Sequence, residues 1–152
     1  MTRCLIISNR LPLNYDQQKK SFIPSAGGLV SAIMGLDAEK VGQEFHWLGL
    51  MTDDVDPSQI EKMKETKFDD ITCHPIVVPK QAYDSYYNKY CNNVIWPLFH
   101  YERNLVYYSP SGWRNYDLIN KIIAKSIAEY AQNSDNIWIH DFHLMLVPGM
   151  LK

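Results

Sequence analysis

Arg10, the pair Gly27-Gly28 and the cluster His140-Asp141-Phe142-His143 are the residues of this chain whose types could do chemistry. A guanidinium presents planar donors that can take two phosphate oxygens at once. Two consecutive glycines let an anion come close to the backbone, and a helix opening there would offer unpaired N–H groups and partial positive charge. Each has a plainer alternative. Arg10 also reads as a solvated surface cation. Ser-Ala-Gly-Gly is neither the GxGxxG fingerprint nor a P-loop with its lysine, so from the local pattern alone a flexible turn into a helix is the better account of it. Asp141 has a second reading as the N-cap of a following helix. His140, Asp141 and His143 have metal-ligand side chains. If 137–140 is a strand, however, His140 points to the sheet's flank while the others lie on the turn, and no convergent metal site is expected.

The elements that must position these residues follow from hydropathy. Residues 4–7, CLII, have the length and branched content of a strand buried on both faces, as in parallel sheets. Residues 8–10 would leave the sheet at that strand's carboxyl edge, where open α/β sheets bind ligands. RLPLNYDQQKKSFIP then forms a small hairpin or flap with its lysines at the tip, and a helix from Leu29 runs to about Lys40. EFHWL, 44–48, reads as a short second strand with Trp47 near its edge, a position that usually means core packing. Asp56-Pro57 starts a helix by capping carboxylate and first-turn proline, and 71–78 is a third strand. Over 81–94 Tyr83, Tyr86, Tyr87, Tyr90 and Val94 fall at helical spacing. Tyr86 and Tyr87 cannot both face the centre, so one sits at the margin with its hydroxyl available. The segment 94–101, VIWPLFHY, is too apolar for an exposed loop and is expected to pack or to line a pocket. Residues 117–132 form an amphipathic helix. A strand at 136–140 ends at Asp141, which the carboxyl-edge rule turns toward the crevice of Arg10.

Composition excludes several classes. A net charge of −2 and a pI near 6.2 leave no basic footprint for nucleic acid or an anionic membrane. No apolar run approaches the roughly 20 residues of a transmembrane helix, and MTRCLII followed by SNR lacks the apolar core of a signal peptide. Three widely spaced cysteines, Cys4, Cys73 and Cys91, read as reduced packing residues of a cytoplasmic protein. The whole is an α/β chain of four strand candidates that looks like one half of something larger.

SNRLPL, SAGGL, YYNKYCNNVIWPLFHY and WIHDFHLMLVPGML, in that order and spacing, resemble the N-terminal part of trehalose-6-phosphate synthases, over essentially the whole chain. These are retaining glucosyltransferases that join UDP-glucose to glucose 6-phosphate. The resemblance implies a Rossmann-like parallel sheet flanked by helices, the N-terminal half of a two-domain B-type glycosyltransferase. Residues 1–152 would be the acceptor-binding domain, with the nucleotide-sugar domain outside this sequence. By motif position, Arg10 resembles the arginine that holds the acceptor phosphate and Tyr87 the tyrosine that hydrogen-bonds it. Trp96 matches the tryptophan that helps select the acceptor's anomer, and Asp141 the carboxylate that grips acceptor hydroxyls. Gly27 and Gly28 correspond to the glycines that meet the donor diphosphate, and Trp47 aligns with a pocket-wall tryptophan.

The resemblance implies no nucleophile, no metal and no cofactor beyond the co-substrate UDP-glucose, since the leaving diphosphate is thought to activate the incoming hydroxyl. It implies no transfer by these 152 residues alone, and it leaves open assembly as a homo-oligomer or with other synthase subunits. Three departures stand out: Gly49-Leu50-Met51 where the family often has Trp-Pro-Gly, Ile123 for a common phenylalanine, and Phe142 for the usual tyrosine. A noncatalytic relative that keeps the fold to assemble with full-length synthase is the competing expectation.

Overall fold

CLIISN shows no alternation of polar and apolar residues, so a strand made from it needs cover on both faces. In β1 (Thr2–Arg10) every residue from 4 to 9 is buried. The computed structural model describes residues 2–16, 18–35 and 42–152. These fall into two compact units, the first built from 1–51, 55–76 and 131–138 and the second from 52–54, 77–130 and 139–152.

The first unit is organised on a mostly parallel five-stranded sheet of order β5-β6-β4-β1-β7. It contains β4 (Gln43–Thr52), β5 (Lys67–Phe68), β6 (Ile71–Val78) and β7 (Asn136–Ile139). β4 runs parallel to β1 in one register from Thr2 opposite Gln43 to Ser8 opposite Gly49, beyond which the register shifts, and β5 pairs antiparallel with β6. Leu13–Asp16 (β2) and Ser21–Pro24 (β3) make the expected hairpin, with Lys19 and Lys20 exposed at its tip. The helix α1 (Gly28–Met34) is capped by Gly35, so its expected continuation over 36–40 lies outside the described residues. In α2 (Pro57–Glu65) the Asp56 carboxylate accepts from Ser58 N at 2.8 Å, as the sequence led one to expect. Cys4, Ile6, Phe45, Trp47, Met63, Ile71 and Cys73 form the centre of this unit's core, with Val30 and Ile33 of α1 packed into it.

Two expectations for this unit need correcting. The second strand extends over ten residues rather than 44–48, because the apolar run continues through Leu48, Gly49 and Leu50. Trp47 is therefore in mid-strand, 1% exposed, and not at the edge. β7 stops at Ile139, one residue early, and is largely exposed.

The second unit is helical. Lys80–Asp84 (α3), a π-helical stretch Ser85–Ile95 and Trp96–Phe99 (α4) follow one another without a break, and Pro110–Tyr130 (α5) packs on them. At the closest approach a side chain on Gly112 would sit 3.1 Å from Lys89 O, so glycine sets that distance. The π-helical turn is wider than 3.6 residues, which displaces the tyrosine stripe. Ser85, Tyr86, Cys91, Val94 and Ile95 are buried, while Tyr87 and Tyr90 are half-buried. The helical path continues through Asn92 and Asn93. Nor is 94–101 packed throughout: Val94, Ile95 and Pro97 face inward, whereas Trp96, Leu98 and Phe99 are about half exposed and Tyr101 is 94% exposed. A 3-10 turn, Phe142–Leu144, and the short α6 (Val147–Met150) complete the unit.

Candidate active site

Arg10, Gly27, Gly28 and Trp47 lie in the first unit, and Tyr87, Trp96 and Asp141 in the second. Each group is described by itself.

In the first unit the strand is irregular where it reaches Arg10. Ser8 pairs with Gly49 and Arg10 with Leu50, so Asn9 is bulged out of register. Bulges re-aim a side chain, and Arg10 is exposed although the six residues before it are buried. The backbone beyond the bulge is tied down one carbonyl at a time. Arg10 O accepts from Ser8 Oγ at 2.6 Å and from Trp47 Nε1 at 3.2 Å, Leu11 O accepts from Ser25 Oγ at 3.1 Å, and Pro12 O accepts from Ser25 N at 2.7 Å. Ser25 opens the Ser-Ala-Gly-Gly motif, so this motif braces the segment that follows Arg10. A Cβ on Gly27 or on Gly28 would meet no atom within 4 Å, so no packing contact in the described structure accounts for the missing side chains. Ser31 N and Ser31 Oγ both donate to Gly27 O at 3.1 Å, which starts α1. Trp47, open to either packing or a pocket wall by sequence, is inside the core with its indole N–H on Ser8 Oγ at 2.8 Å.

In the second unit Asp141 follows β7 with φ +73° and ψ 166°, a conformation almost reserved to glycine. Its Oδ1 accepts from Phe142 N at 2.7 Å, so the capping role read from sequence is present, on a 3-10 turn. Its side chain is 43% exposed, and Oδ2 is 3.6 Å from His143 Nδ1. Strain of this kind persists only where the surroundings over-determine it, and here they do. Tyr116 Oη donates to Phe142 O at 2.7 Å, and Asn120 Nδ2 donates to His143 O at 3.1 Å. Leu146 N donates to Asn120 Oδ1 at 3.3 Å. Asn120 is fully buried and Tyr116 nearly so. Burial pushes the Tyr116 phenol well above its ordinary range, so it stays a neutral donor.

The turn also joins the aromatic candidates. The ring of His143 stacks on Tyr87 at 5.8 Å and 8° and on Phe142 at 4.1 Å, and Phe142 in turn meets Trp96 at 5.8 Å. Tyr87, Trp96 and Asp141, separated by 54 residues of sequence, are thus gathered around one short turn. Asn120, Tyr116 and Ser8 were not singled out by sequence reasoning, and Gly49 only as a departure from the family pattern. A buried asparagine inside an otherwise apolar helix stripe was the signal for the first. Among the described residues no group of three His, Cys, Asp or Glu side chains is placed to hold a metal ion.

The family sequence pattern described as "Glycosyltransferase family 20" matches residues 2–152. The chain belongs to glycosyltransferase family 20. It is 37% identical over 153 aligned residues to the UDP-forming alpha,alpha-trehalose-phosphate synthase 1 of Aspergillus fumigatus, covering 99% of this chain and 29% of that protein. To the UDP-forming synthase of Yarrowia lipolytica it is 35% identical, covering 100% of this chain and 32% of the relative. Among solved structures, the Escherichia coli protein bound with UDP-2-fluoro glucose superposes with a TM-score of 0.73 at 30% identity. That match covers 99% of this chain and 30% of the other. The synthase of Burkholderia vietnamiensis superposes at 0.72 with 26% identity and similar coverage. The chain thus spans about 30% of the length of the family 20 relatives it matches.

Proposed function

We propose that this chain supplies the acceptor-binding part of a retaining glucosyltransferase. The reaction takes glucose from UDP-glucose to glucose 6-phosphate and yields trehalose 6-phosphate and UDP. The observation that carries the reading is the 37% identity, across 99% of the chain, to a protein named as a UDP-forming trehalose-phosphate synthase. The geometry of each unit is consistent with it. Arg10 is exposed at the end of a buried strand on a braced backbone, where its guanidinium can take the acceptor phosphate. Tyr87 adds a hydroxyl donor. Asp141, whose charge repels a phosphate, accepts from sugar hydroxyls. Trp96, half exposed beside Phe142, offers an apolar face to the sugar ring and excludes water. The open space over Gly27 and Gly28 leaves their backbone accessible to the donor diphosphate.

On this reading the residues act by holding and orienting the acceptor, which lowers the barrier by positioning and by placed charge rather than by a covalent intermediate. Asp141 is a hydroxyl acceptor and not a nucleophile, and no metal or further cofactor is required. Three buried free thiols fit a reducing compartment, and the reading places the protein in the cytoplasm. Calorimetric titration of the chain with glucose 6-phosphate tests it. Binding should weaken as salt is raised and vanish in Arg10→Ala. Equal heats from wild type and Arg10→Ala would remove Arg10 from the acceptor site.

A further inference from the structure

The indole of Trp47 is nearly sealed from solvent, yet its N–H is not spent on the core. It is shared between Ser8 Oγ at 2.8 Å and Arg10 O at 3.2 Å. Ser8 Oγ in turn donates its own hydrogen bond to Arg10 O at 2.6 Å. A carbonyl oxygen has two lone pairs, and both of those on Arg10 are engaged by donors that come from the core side. From the β4 side, Gly49 lets the bulged strand press in: an added Cβ would lie 2.7 Å from Arg10 C and 2.7 Å from Leu11 N. The peptide plane after Arg10 is therefore held by two hydrogen bonds and by a contact too close for any side chain. That plane helps set the direction in which the arginine side chain leaves the strand.

We propose that Trp47 is a positioning residue for Arg10. Its indole N–H, acting through Ser8 and the Arg10 carbonyl, fixes the bulge that aims the guanidinium at the acceptor phosphate. It acts from beneath the site, not as part of its wall. The proposal deepens the reading of Arg10 as the phosphate-holding residue and rests on that reading. It assigns a specificity device to the first unit: a guanidinium held in one direction selects a sugar phosphate by the place of its phosphate, which a mobile cation cannot do.

The experiment uses the whole chain with Trp47→Phe, which keeps an aromatic ring in the core but removes the N–H donor together with part of the buried ring volume, and with Ser8→Ala, which removes the hydroxyl alone. Amide hydrogen exchange at Arg10 and Leu11, followed by NMR, reads the bulge without any ligand. It should accelerate about tenfold or more in both variants, the scale expected when a buried hydrogen bond is lost. Titration with glucose 6-phosphate reads the consequence, with affinity falling about tenfold in each. In an Arg10→Lys background, where a flexible ammonium does not depend on the direction of the backbone, Trp47→Phe should change affinity less than about twofold.

Unchanged exchange in both variants overturns the strut. Raised exchange with unchanged affinity overturns its role in positioning, and so does a full tenfold loss repeated in the Arg10→Lys background. If wild type itself shows no affinity for glucose 6-phosphate, the acceptor reading of Arg10 falls and the positioning role falls with it. The exchange rates then still decide whether the indole holds the bulge.

Discussion

Arg10 and Asp141 both sit where a strand gives way to irregular backbone, but the two places are held in opposite ways. At Arg10 the chain is relaxed, and room is made for it. A glycine on β4 removes the atom that would collide, and an indole and a hydroxyl satisfy the carbonyl that the bulge frees. At Asp141 the chain is strained. A non-glycine residue is kept at φ +73° because buried donors on α5 hold the carbonyls of the two residues after it. The first design depends on clearance, and the second on enforcement. Clearance fails when volume is added, whereas enforcement fails when a hydrogen bond is removed.

The largest effect expected from this contrast is at Gly49. In Gly49→Ala the new methyl must displace the backbone of Arg10 and Leu11. Urea denaturation should show a loss of about 3 kcal/mol, the upper range for overpacking that cannot be absorbed by a rotamer change. A variant as stable as wild type would show that the bulge yields freely and that clearance is not what holds it.

Next is the clamp. Asn120→Leu keeps the forked shape and the number of non-hydrogen atoms but leaves His143 O and Leu146 N without their buried partners, at a cost of about 2 kcal/mol. The Asp141 turn should loosen with it, visible as faster amide exchange at Leu144 and Leu146. Exchange unchanged at those amides would mean the turn does not need enforcing.

The two units also differ in how their buried polar groups respond to acid. In the first unit His46 Nδ1 lies 3.2 Å from His74 Nε2, with Glu44, Arg3 and Asp135 around them. Burial, then the charges of His46 and Arg3, depress the His74 imidazole to about 4, and burial lowers His46 as well. A histidine whose folded value lies below its unfolded value binds its proton more readily in the unfolded chain, so stability rises with pH. The contribution is complete above about 6.5 and is lost as pH falls toward 4, with an amplitude on the order of 1 kcal/mol because the half-buried ring remains screened by solvent. In the second unit the clamp is made of an amide and a phenol pushed upward, and neither ionises in that window. Amide protection factors compared at pH 4.5 and pH 7 should therefore show loosening in the first unit, and His74→Gln should remove most of it. Loosening undiminished in His74→Gln would mean that the imidazole pair is not its source.

What was legible in the sequence follows the same division. Elements with one clear period or one strong cap were read correctly: the hairpin around Lys19 and Lys20, the Asp56 cap, the strand 71–78 and the buried face of the long helix carrying Ile119, Ile123 and Ile127, although that helix spans Pro110–Tyr130 rather than 117–132 because its polar first turns carry no apolar period. The tyrosine stripe was right in part: Tyr86 is fully buried with Tyr87 at the margin, but periodicity assumes 3.6 residues per turn, and the wider π-helical turn leaves Tyr83 and Tyr90 half-buried and brings Cys91 inward. The end of the second strand was missed because a glycine at 49 looks like punctuation. Its use is the close passage of another chain segment, and that cannot be seen from the residue itself. Positioning residues such as Asn120 and Ser8 are hidden for the same reason: the partners that give them their role lie 23 or more positions away, or depend on a bulge.

The smallest and most discriminating effect concerns Asp141 itself. Alanine at 141 keeps the unfavourable dihedral angles and loses the bond to Phe142 N, whereas glycine loses the same bond but relieves the strain. Glycine also gains freedom in the unfolded chain, which takes back part of the benefit. On balance Asp141→Gly should be more stable than Asp141→Ala by about 1 kcal/mol, the usual cost of holding an L-residue in that region less the entropy difference. Neither variant retains the carboxylate, so both should lose affinity for glucose 6-phosphate to the same extent. A pair of variants that separates in thermal denaturation but not in titration would show that strain at this turn is structural and the carboxylate functional. If alanine proved as stable as glycine, the turn would carry no stored strain, and the difference between the two strand ends would reduce to which side supplies the hydrogen bonds.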